Sequence, residues 1–385
     1  MMKTNYRIVR RIESILKDDR SEGSAFLKNA LALLALGYAG VVQARSAYYQ
    51  KGTSRSHRLP CRVISVGNLT LGGTGKTPMT QYLAKMLTDS GHRPVVLSRG
   101  YGGKGHKKGR VVSDGRHVGM GPASAGDEPF MMAHTLPKVP VIVGRDRLAA
   151  GQMACKRFSP DILILDDGFQ HLRLIRDLDL VLLDGRKPFG NDRLFPRGTL
   201  REPVSALKRA DGCILTRWRS GYGAHSGNLP EGIPVFKAMH IPQLYLPDPT
   251  VETLGPPHPP LPLAKAVSER IRKKRVYLFS GIADNQGFRD TVSELFVNTV
   301  GHIRFPDHYR YEPGEISDIF RHAMDSGAEM IVTTEKDWSR LGRRVDGPLP
   351  LAVVGVKISF GKDRDAFHEF VQSRLSRNTP TPLEE

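Results

Sequence analysis

The sequence predicts an α/β protein whose core is a mostly parallel β-sheet covered by helices. Short apolar runs, such as 162–165 (Ile-Leu-Ile-Leu) and 178–183, alternate with longer helical segments from residue 62 onward. Runs that are apolar at nearly every position are typical of strands buried on both faces, as in a parallel sheet. With 385 residues and a hydrophobic content of 39%, the chain can bury the cores of two domains.

The same pattern places the individual elements along the chain. The first strand, 62–66, is followed by an amphipathic helix over 76–90 that ends near Gly91. The Gly-rich and basic segment 99–121 is predicted to be a mobile loop. The remaining strands are predicted at 94–98, 139–143, 162–165, 178–183, 213–216, 275–280, 330–334 and 351–356.

A Pro-rich stretch divides this pattern into two domains. Residues 242–264 contain many prolines, which neither continue a helix nor occupy a central strand, so a linker is predicted there. The predicted organisation is an N-terminal membrane-associating helical segment at 1–58, a core domain at 59–241, the linker at 242–264, a smaller C-terminal α/β lobe at 265–376 and a polar tail at 377–385.

The N-terminal segment combines positive charge with an apolar run. Residues 1–60 contain eleven Lys or Arg against four Asp or Glu, and residues 30–43 are nearly all apolar. The run is shorter than the roughly 18 to 20 apolar residues of a dependable membrane span, and it fits a secretory signal poorly. A buried core helix is the alternative, but flanking cations and tyrosines favour an anionic membrane surface. Whether the helix spans the bilayer or lies on it stays open.

The whole chain is strongly basic, with a net charge of +18. This charge attracts nucleic acid, an anionic membrane or phosphorylated substrates, and composition does not choose among them. Cys61, Cys155 and Cys213 are far apart in sequence and form no CxxC pair, which argues against a disulfide framework and a structural zinc site. We expect them to be small buried residues in a reducing compartment.

Residues 70–77 (Thr-Leu-Gly-Gly-Thr-Gly-Lys-Thr) have the pattern of a phosphate-binding P-loop directly after the first strand. The glycines let backbone N–H groups turn toward an anion, and the following helix adds the partial positive charge of its N-terminus. Lys76 is expected to reach the β- and γ-phosphates, and the Thr77 hydroxyl to ligate Mg²⁺. The pattern ordinarily begins with Gly, where this chain has Thr. The predicted nucleotide-binding residues are Thr70, Gly72, Gly73, Thr74, Gly75, Lys76 and Thr77.

A second motif, the Walker-B pattern, follows at 162–167, where an apolar strand ends on Asp166 and Asp167. An aspartate at this place holds Mg²⁺ directly or through water. Together the two motifs indicate nucleotide hydrolysis or phosphoryl transfer without naming an acceptor. A regulatory GTPase is disfavoured because 334–337 (Thr-Glu-Lys-Asp) does not fit the guanine-reading pattern Asn-Lys-x-Asp. An ATPase that remodels a partner stays open.

A kinase also needs a residue that accepts the proton of the acceptor hydroxyl. The candidates are Asp127 in 126–129 (Gly-Asp-Glu-Pro) and His308 in 305–309 (Phe-Pro-Asp-His-Tyr). A buried aspartate paired with a histidine would hold the imidazole in its basic tautomer. Spacing alone does not distinguish a catalytic role for either residue from a structural one.

Seven strings stand in one order along the chain, at 66–78, 97–103, 126–129, 166–171, 196–203, 307–309 and 333–337. Through these strings the sequence resembles the tetraacyldisaccharide 4′-kinase family, also called lipid A 4′-kinases, over most of its length. One departure is 280–288 (Ser-Gly-Ile-Ala-Asp-Asn-Gln-Gly-Phe), because relatives commonly carry Asn-Pro after the Gly-Ile pair. Thr70 is normal for this family.

The resemblance implies a P-loop kinase that uses ATP and Mg²⁺. Its substrate would be a tetraacylated glucosamine disaccharide 1-phosphate, phosphorylated on the 4′-hydroxyl in lipid A biosynthesis. Carried over by position, the catalytic residues are Asp127, His308 and Lys76, and the residues at the metal are Thr77, Asp166, Asp167 and Glu202. Glu202 would support either the metal or the closed site, and Gln170 and His171 would line the nucleotide side or the Walker-B side.

The resemblance also implies a location at the cytoplasmic face of the bacterial inner membrane. The apolar run 30–43 would hold the enzyme beside its acylated substrate. The positive charge would favour anionic headgroups and the substrate's 1-phosphate, by about 1 kcal/mol per well-placed Lys or Arg. The expected partners are therefore the lipid A precursor and an anionic membrane surface. Nucleic acid is not expected, because no recognised binding motif accompanies the charge. The oligomeric state is not indicated.

Overall fold

The computed structural model describes residues 25–50, 56–103, 107–219, 229–246, 269, 271–341 and 347–376. The predictions for 1–24, for the linker beyond residue 246 and for the tail lie outside these residues. By compactness the chain divides into a first unit of residues 1–80, 151–240 and 358–385 and a second unit of residues 81–150 and 241–357. The linear domain bounds given above stay a prediction.

The described elements alternate between strands and helices. The strands are β1 Arg62–Asn68, β2 Pro94–Ser98, β3 Arg110–Ser113, β4 Val141–Val143, β5 Ile162–Asp166, β6 Leu178–Asp184, β7 Gly212–Thr216, β8 Val235–Lys237, β9 Met239–Tyr245, β10 Arg275–Ser280, β11 Asn298–Arg304, β12 Met330–Thr334 and β13 Leu351–Ser359. The helices are α1 Ala25–Gln50, α2 Lys76–Asp89, α3 Pro122–Ala125, α4 Asp127–Thr135, α5 Arg147–Phe158, α6 Asn285–Leu295, α7 Pro313–Asp325, α8 Glu335–Leu341 and α9 Arg364–Ser376.

Five parallel strands form the sheet of the first unit, in the spatial order β5-β1-β6-β7-β8. Every residue of β1, β5 and β7 is buried, and burial on both faces accounts for their mostly apolar sequences. The register sets Val66 of β1 beside Asp166 of β5. The loops that follow these two strands therefore begin next to each other, at one edge of the sheet.

The second unit contains two groups of strands. β2 pairs in parallel with β4, and β3 pairs antiparallel with β4. The other strands lie in the order β11-β10-β12-β13-β9, and the pairs from β11 to β13 are parallel. Because β10 and β12 run in parallel, the residues after Ser280 and after Thr334 emerge at the same edge. α8 begins at that edge, directly after β12.

The predicted α/β class with mostly parallel sheets is confirmed, and all nine predicted strands are present. The strand predicted at 139–143 begins only at Val141, because Pro140 has no N–H to donate; its carbonyl accepts a hydrogen bond from Val96. The loop predicted at 99–121 is wrong in part, since Arg110–Ser113 pairs with β4 as a strand. Its two valines supply the β propensity.

The N-terminal helix is longer than the apolar run that predicts it. α1 has 26 residues, and Ala25–Tyr49 is long and apolar enough to cross a membrane. From the length of the run 30–43 alone, a membrane span is not expected. This expectation is corrected, because the helix extends beyond Lys28 and Arg45, which bracket the run. Length and composition fit both a membrane span and a helix at the membrane surface.

Candidate active site

The P-loop leaves the buried end of β1 and is fixed there by side chains of the first unit. The Asn68 side-chain amide donates to the Thr70 carbonyl at 2.7 Å and to the Thr74 hydroxyl at 3.0 Å. The Thr216 hydroxyl, at the end of β7, donates to the Thr74 carbonyl at 2.9 Å. These buried hydrogen bonds hold the loop in one shape, which preorganises its backbone N–H groups for an anion.

Thr70 is accommodated in place of glycine because its backbone is extended. It forms an antiparallel bridge with Leu200, and the neighbouring Leu71 N–H donates to the Thr199 carbonyl at 2.7 Å. Thr70 is not one of the described residues with a positive φ. A side chain at this position therefore meets no backbone strain, and it is buried.

The glycines that the loop does require lie further along it. Gly72 and Gly75 have φ angles of 116° and 87°, a region that side chains with a Cβ rarely adopt. A Cβ at Gly75 would also approach Nε2 of His240 to 2.6 Å. α2 begins at Lys76, so its N-terminal N–H groups face the loop, and Thr77 is buried in the first turn. The predicted nucleotide-binding residues thus form one continuous turn.

The Walker-B aspartates lie beside this turn and serve different partners. Asp166 is buried and accepts a hydrogen bond from the Thr80 hydroxyl of α2 at 3.2 Å. Asp167 has a positive φ of 57°. Its carboxylate lies 3.6 Å from Nζ of Lys76 and 3.0 Å from Nη1 of Arg201. The structure therefore brings the predicted P-loop lysine and the predicted metal-site aspartates together.

The residues around the aspartates suit Mg²⁺ better than a metal held by the protein alone. Within the described ranges, no three His, Cys, Asp or Glu side chains converge on one point. Mg²⁺ is ordinarily bound through one or two carboxylates together with substrate phosphates and waters, and Asp166, Asp167 and the Thr77 hydroxyl provide such a partial set.

Three further residues implied by the resemblance make different contacts: Glu202, Gln170 and His171. The Glu202 carboxylate is buried and accepts from Arg209 at 2.8 Å, so an ion pair already engages it. The Gln170 side chain donates to the Asn68 carbonyl at 3.0 Å and thereby joins the Walker-B loop to the start of the P-loop. The His171 N–H donates to the Gly168 carbonyl at 2.8 Å and stabilises the turn after the aspartates.

α1 packs against the same loops through one of its faces. The Tyr38 hydroxyl donates to the Arg201 carbonyl at 2.9 Å, and Arg45 donates to the Gln170 carbonyl at the same distance. Ala35 is buried on this face. The other face is apolar and open to solvent; its residues with more than half of their surface exposed are Phe26, Leu33, Leu34, Leu36, Val41 and Tyr48.

The second group of predicted residues lies in the second unit. Asp127 opens α4, and its Oδ2 lies 2.9 Å from Nδ1 of His308. Both side chains are largely buried, with 14% and 24% of their surfaces exposed. His308 itself has a positive φ of 61°, and the ring of Tyr101 lies 4.8 Å from its ring. The pairing expected of an aspartate and a histidine is therefore present, and we call it the Asp127–His308 pair.

The charge state of Asp127 is set by its neighbours. Burial alone would raise the pKa of this carboxyl, but the hydrogen bond with His308 and the charge of Arg340 lower it below its ordinary value. Nε of Arg340 lies 2.7 Å from Oδ2 of Asp127. At neutral pH, Asp127 is thus an ionised hydrogen-bond acceptor, which is the state that orients a basic imidazole.

The sequence analysis did not predict a role for Arg340, whose side chain is only 3% exposed in the structure. The signal lay close by, because the string 333–337 that carries the family resemblance ends three residues before it. An arginine three residues after Asp337 lies on the same face of a helix as that aspartate. The contact with Asp127 joins residues 213 positions apart and has no sequence signal.

Comparisons with known proteins show which proteins this chain is similar to. The family described as Tetraacyldisaccharide-1-P 4′-kinase (LpxK) matches residues 27–376. A tetraacyldisaccharide 4′-kinase of Desulfatibacillum aliphaticivorans is 41% identical over 367 residues, which cover 95% of this chain and 98% of that protein. One of Pelobacter propionicus is 44% identical over 322 residues, covering 84% and 85%.

A solved structure is similar over nearly the same length. The crystal structure of LpxK from Aquifex aeolicus in complex with ATP superposes with a TM-score of 0.69 at 32% sequence identity, covering 91% of this chain and 99% of that chain. The range matched by the family contains the P-loop, the Walker-B aspartates and both members of the Asp127–His308 pair.

Proposed function

The chain belongs to the tetraacyldisaccharide-1-P 4′-kinase family, and on this premise we propose that it transfers the γ-phosphate of ATP to a lipid A precursor. The acceptor is the 4′-hydroxyl of a tetraacylated glucosamine disaccharide 1-phosphate. The observation that carries the proposal is the contact between the P-loop Lys76 and the Walker-B Asp167, 3.6 Å apart at the ends of neighbouring strands. This arrangement is suited to phosphoryl transfer from a nucleotide.

The P-loop residues would hold ATP through its phosphates. Backbone N–H groups of 72–77 and the N-terminus of α2 surround the anion, and Lys76 exchanges its contact with Asp167 for the β- and γ-phosphates. The Thr77 hydroxyl and the Walker-B aspartates would hold Mg²⁺, which would neutralise the charge that develops on the phosphates. Because Glu202 already pairs with Arg209, we assign it to supporting this end of the site rather than to ligating the metal.

The Asp127–His308 pair would act on the acceptor. The oxygen of the 4′-hydroxyl forms the new bond to the γ-phosphorus, the bond from that phosphorus to the β,γ-bridging oxygen breaks, and ADP leaves with the electron pair. The hydroxyl proton passes to the Asp127–His308 pair. An ionised Asp127 favours this transfer because it stabilises the imidazole that becomes protonated.

We place the enzyme at the cytoplasmic face of the inner membrane, with α1 at the lipid surface. One face of this helix bonds to the loops of the first unit, and the opposite face exposes leucines and a phenylalanine. A helix that is packed on protein along one side and apolar on the other suits the surface of a leaflet. The substrate, which carries acyl chains, is found in the same layer.

A direct assay tests this function. Purified full-length protein in detergent is given ATP labelled in the γ-phosphate and the disaccharide lipid, and label on the sugar is measured. A lipid that lacks the free 4′-hydroxyl is the control and should accept no label. ATP hydrolysis without any labelled lipid would favour the alternative of an ATPase that remodels a partner.

A further inference from the structure

α8 lies beside the Asp127–His308 pair and carries a buried arginine. Arg340 donates through Nε to Oδ2 of Asp127 at 2.7 Å, the same oxygen that contacts Nδ1 of His308. Its Nη1 donates to the Gly281 carbonyl and to Oδ1 of Asp337. One guanidinium thus connects a carboxylate of the pair to the loop that follows β10, through the several donors of its planar fork.

The loop after β10 also contacts the backbone of His308. The His308 N–H donates to the Gly281 carbonyl at 3.2 Å, the oxygen that also accepts from Arg340. His308 has a positive φ, a conformation that needs support from its surroundings. Arg340 therefore reaches both members of the pair: it contacts the Asp127 side chain directly, and it shares with His308 the backbone carbonyl that fixes the histidine.

Asp337 holds the Arg340 guanidinium in place. Its carboxylate is fully buried and accepts from the Gly281 N–H at 3.1 Å, the Tyr311 hydroxyl at 2.8 Å and the Thr334 hydroxyl at 2.7 Å. The fourth donor is Arg340. A buried carboxylate with this many donors fixes the guanidinium, because breaking any one contact would leave a buried polar group unpaired.

We infer that Arg340, held by Asp337, is a positioning residue that sets both the geometry and the charge of the Asp127–His308 pair. The inference deepens the proposed function and rests on it, since it concerns the group that takes the hydroxyl proton. It gives a role to Arg340, which lies just after the string 333–337. That string carries the family resemblance but had no role of its own. Arg340 acts through Asp127 and His308 and need not touch the substrate.

The electrostatic part of this role follows from the neighbours of Asp127. Direct contacts come from His308 and Arg340, and Asp307 lies 3.9 Å from Arg340 and 3.8 Å from Nε2 of His308. On the adjoining turns, Lys336 pairs with Glu128. Arg340 is one of the causes that lower the pKa of Asp127. Without it, this pKa rises, and Asp127 becomes protonated at a higher pH as the solution is acidified.

The test compares Arg340→Gln and Arg340→Lys in the full-length enzyme, by the pH dependence of kcat with lipid and ATP. Arg340→Gln should lower kcat at neutral pH about ten- to a hundredfold and move the acidic limb of the profile to higher pH, with KM for ATP within about twofold of the unsubstituted enzyme. Arg340→Lys keeps the charge but not the fork. Its acidic limb should stay near that of the unsubstituted enzyme while kcat falls less.

Tyr311→Phe is the matched control, because it removes a donor to Asp337 without touching Asp127 or His308. It should lower the unfolding midpoint and leave the acidic limb in place. An Arg340→Gln enzyme with the limb and kcat of the unsubstituted enzyme would overturn the inference, and so would a drop in kcat at every pH without movement of the limb. If Arg340→Gln does not fold, equal kcat in Arg340→Lys and the unsubstituted enzyme overturns it. If the unsubstituted enzyme labels no lipid, the proposed function fails instead.

Discussion

Asp167 is the residue at which the two nucleotide motifs meet. It follows β5, yet its carboxylate lies within 3.6 Å of the P-loop lysine and bonds to Arg201. The Asp167 carboxylate thus pairs with Lys76 in the place that phosphate oxygens would take in the complex with a nucleotide. The loop therefore keeps its cation in place before the nucleotide arrives.

Lys76→Ala should abolish phosphoryl transfer, by about a hundredfold or more in kcat, because no other P-loop side chain supplies a positive charge to the phosphates. The measurement is label transfer to the lipid at saturating ATP. Lys85→Ala, at an exposed position of the same helix, is the control and should keep normal turnover. Substantial turnover by the Lys76 variant would contradict the P-loop assignment.

Asp127→Ala and His308→Ala should each lower kcat by about a hundred- to ten-thousandfold while KM for ATP changes little, since neither residue belongs to the P-loop. Single-turnover kinetics together with ATP titration separate the two effects. His322→Ala, on the exposed side of α7, is a control histidine. Loss of ATP binding with normal turnover of the bound complex would show that the pair does not serve the acceptor.

The sequence predicts the individual residues of the site better than their contacts. Asp127 and His308 could be named from their strings, but the hydrogen bond between them joins positions 181 residues apart. A contact of this kind is made by tertiary packing and has no local signal in the sequence. The string 333–337 ends close to Arg340, but nothing near it in the sequence indicates that the partner of Arg340 is the aspartate that opens α4.

Among the elements, α1 differs most from its prediction. The sequence indicated an apolar run, and the structure shows a helix of 26 residues that bonds to Arg201 and Gln170 along one face. Its exposed apolar side chains include Leu33 and Leu36, with 72% and 71% of their surfaces open. Exposure of that size on a single helix face is typical of an interaction surface.

Leu33→Glu with Leu36→Glu should weaken binding to vesicles of anionic phospholipid at least tenfold, because each leucine removed from the lipid forfeits about 1.5 to 3 kcal/mol. Sedimentation with vesicles measures the effect. The folded state should survive, since both side chains are exposed. Gln43→Glu adds a charge at another exposed position of α1 and should change binding less. Unchanged sedimentation of the double variant would place the membrane contact elsewhere.

The strands show which elements a sequence can and cannot predict. Every strand predicted from an apolar run is present, because burial on both faces leaves a continuous apolar pattern. β11 was missed, since its residues are only half-buried and include Gly301 and His302. A strand of this kind is held by its pairing with β10 rather than by its own hydrophobicity, so periodicity does not identify it.

At the scale of the whole molecule, the membrane placement that we propose draws on the positive charge as well as on the apolar face of α1. A net charge of +18 attracts an anionic leaflet over distances at which the apolar side chains make no contact. The two contributions differ in one measurable way: salt screens the first and leaves the second intact. Each can therefore be measured on the same vesicles.

Binding to anionic vesicles should weaken as salt is raised to about 1 M, where the Debye length falls to about 3 Å. Binding to neutral vesicles of the same acyl composition should be weaker at low salt and nearly independent of salt. Sedimentation measures both. Equal salt dependence on the two kinds of vesicle would show that the net charge plays no part in membrane binding.

The hydrogen bonds between α1 and the site loops have a consequence for how the enzyme finds its substrate. The helix is about 39 Å long, and its contacts with Arg201 and Gln170 hold it next to the residues that flank Asp167. Once α1 rests on the lipid, the nucleotide motif stays at a fixed height above the bilayer. Enzyme and substrate then meet by lateral diffusion within one plane. On this proposal the search for the lipid would be two-dimensional, and an encounter would need no extraction of acyl chains into water.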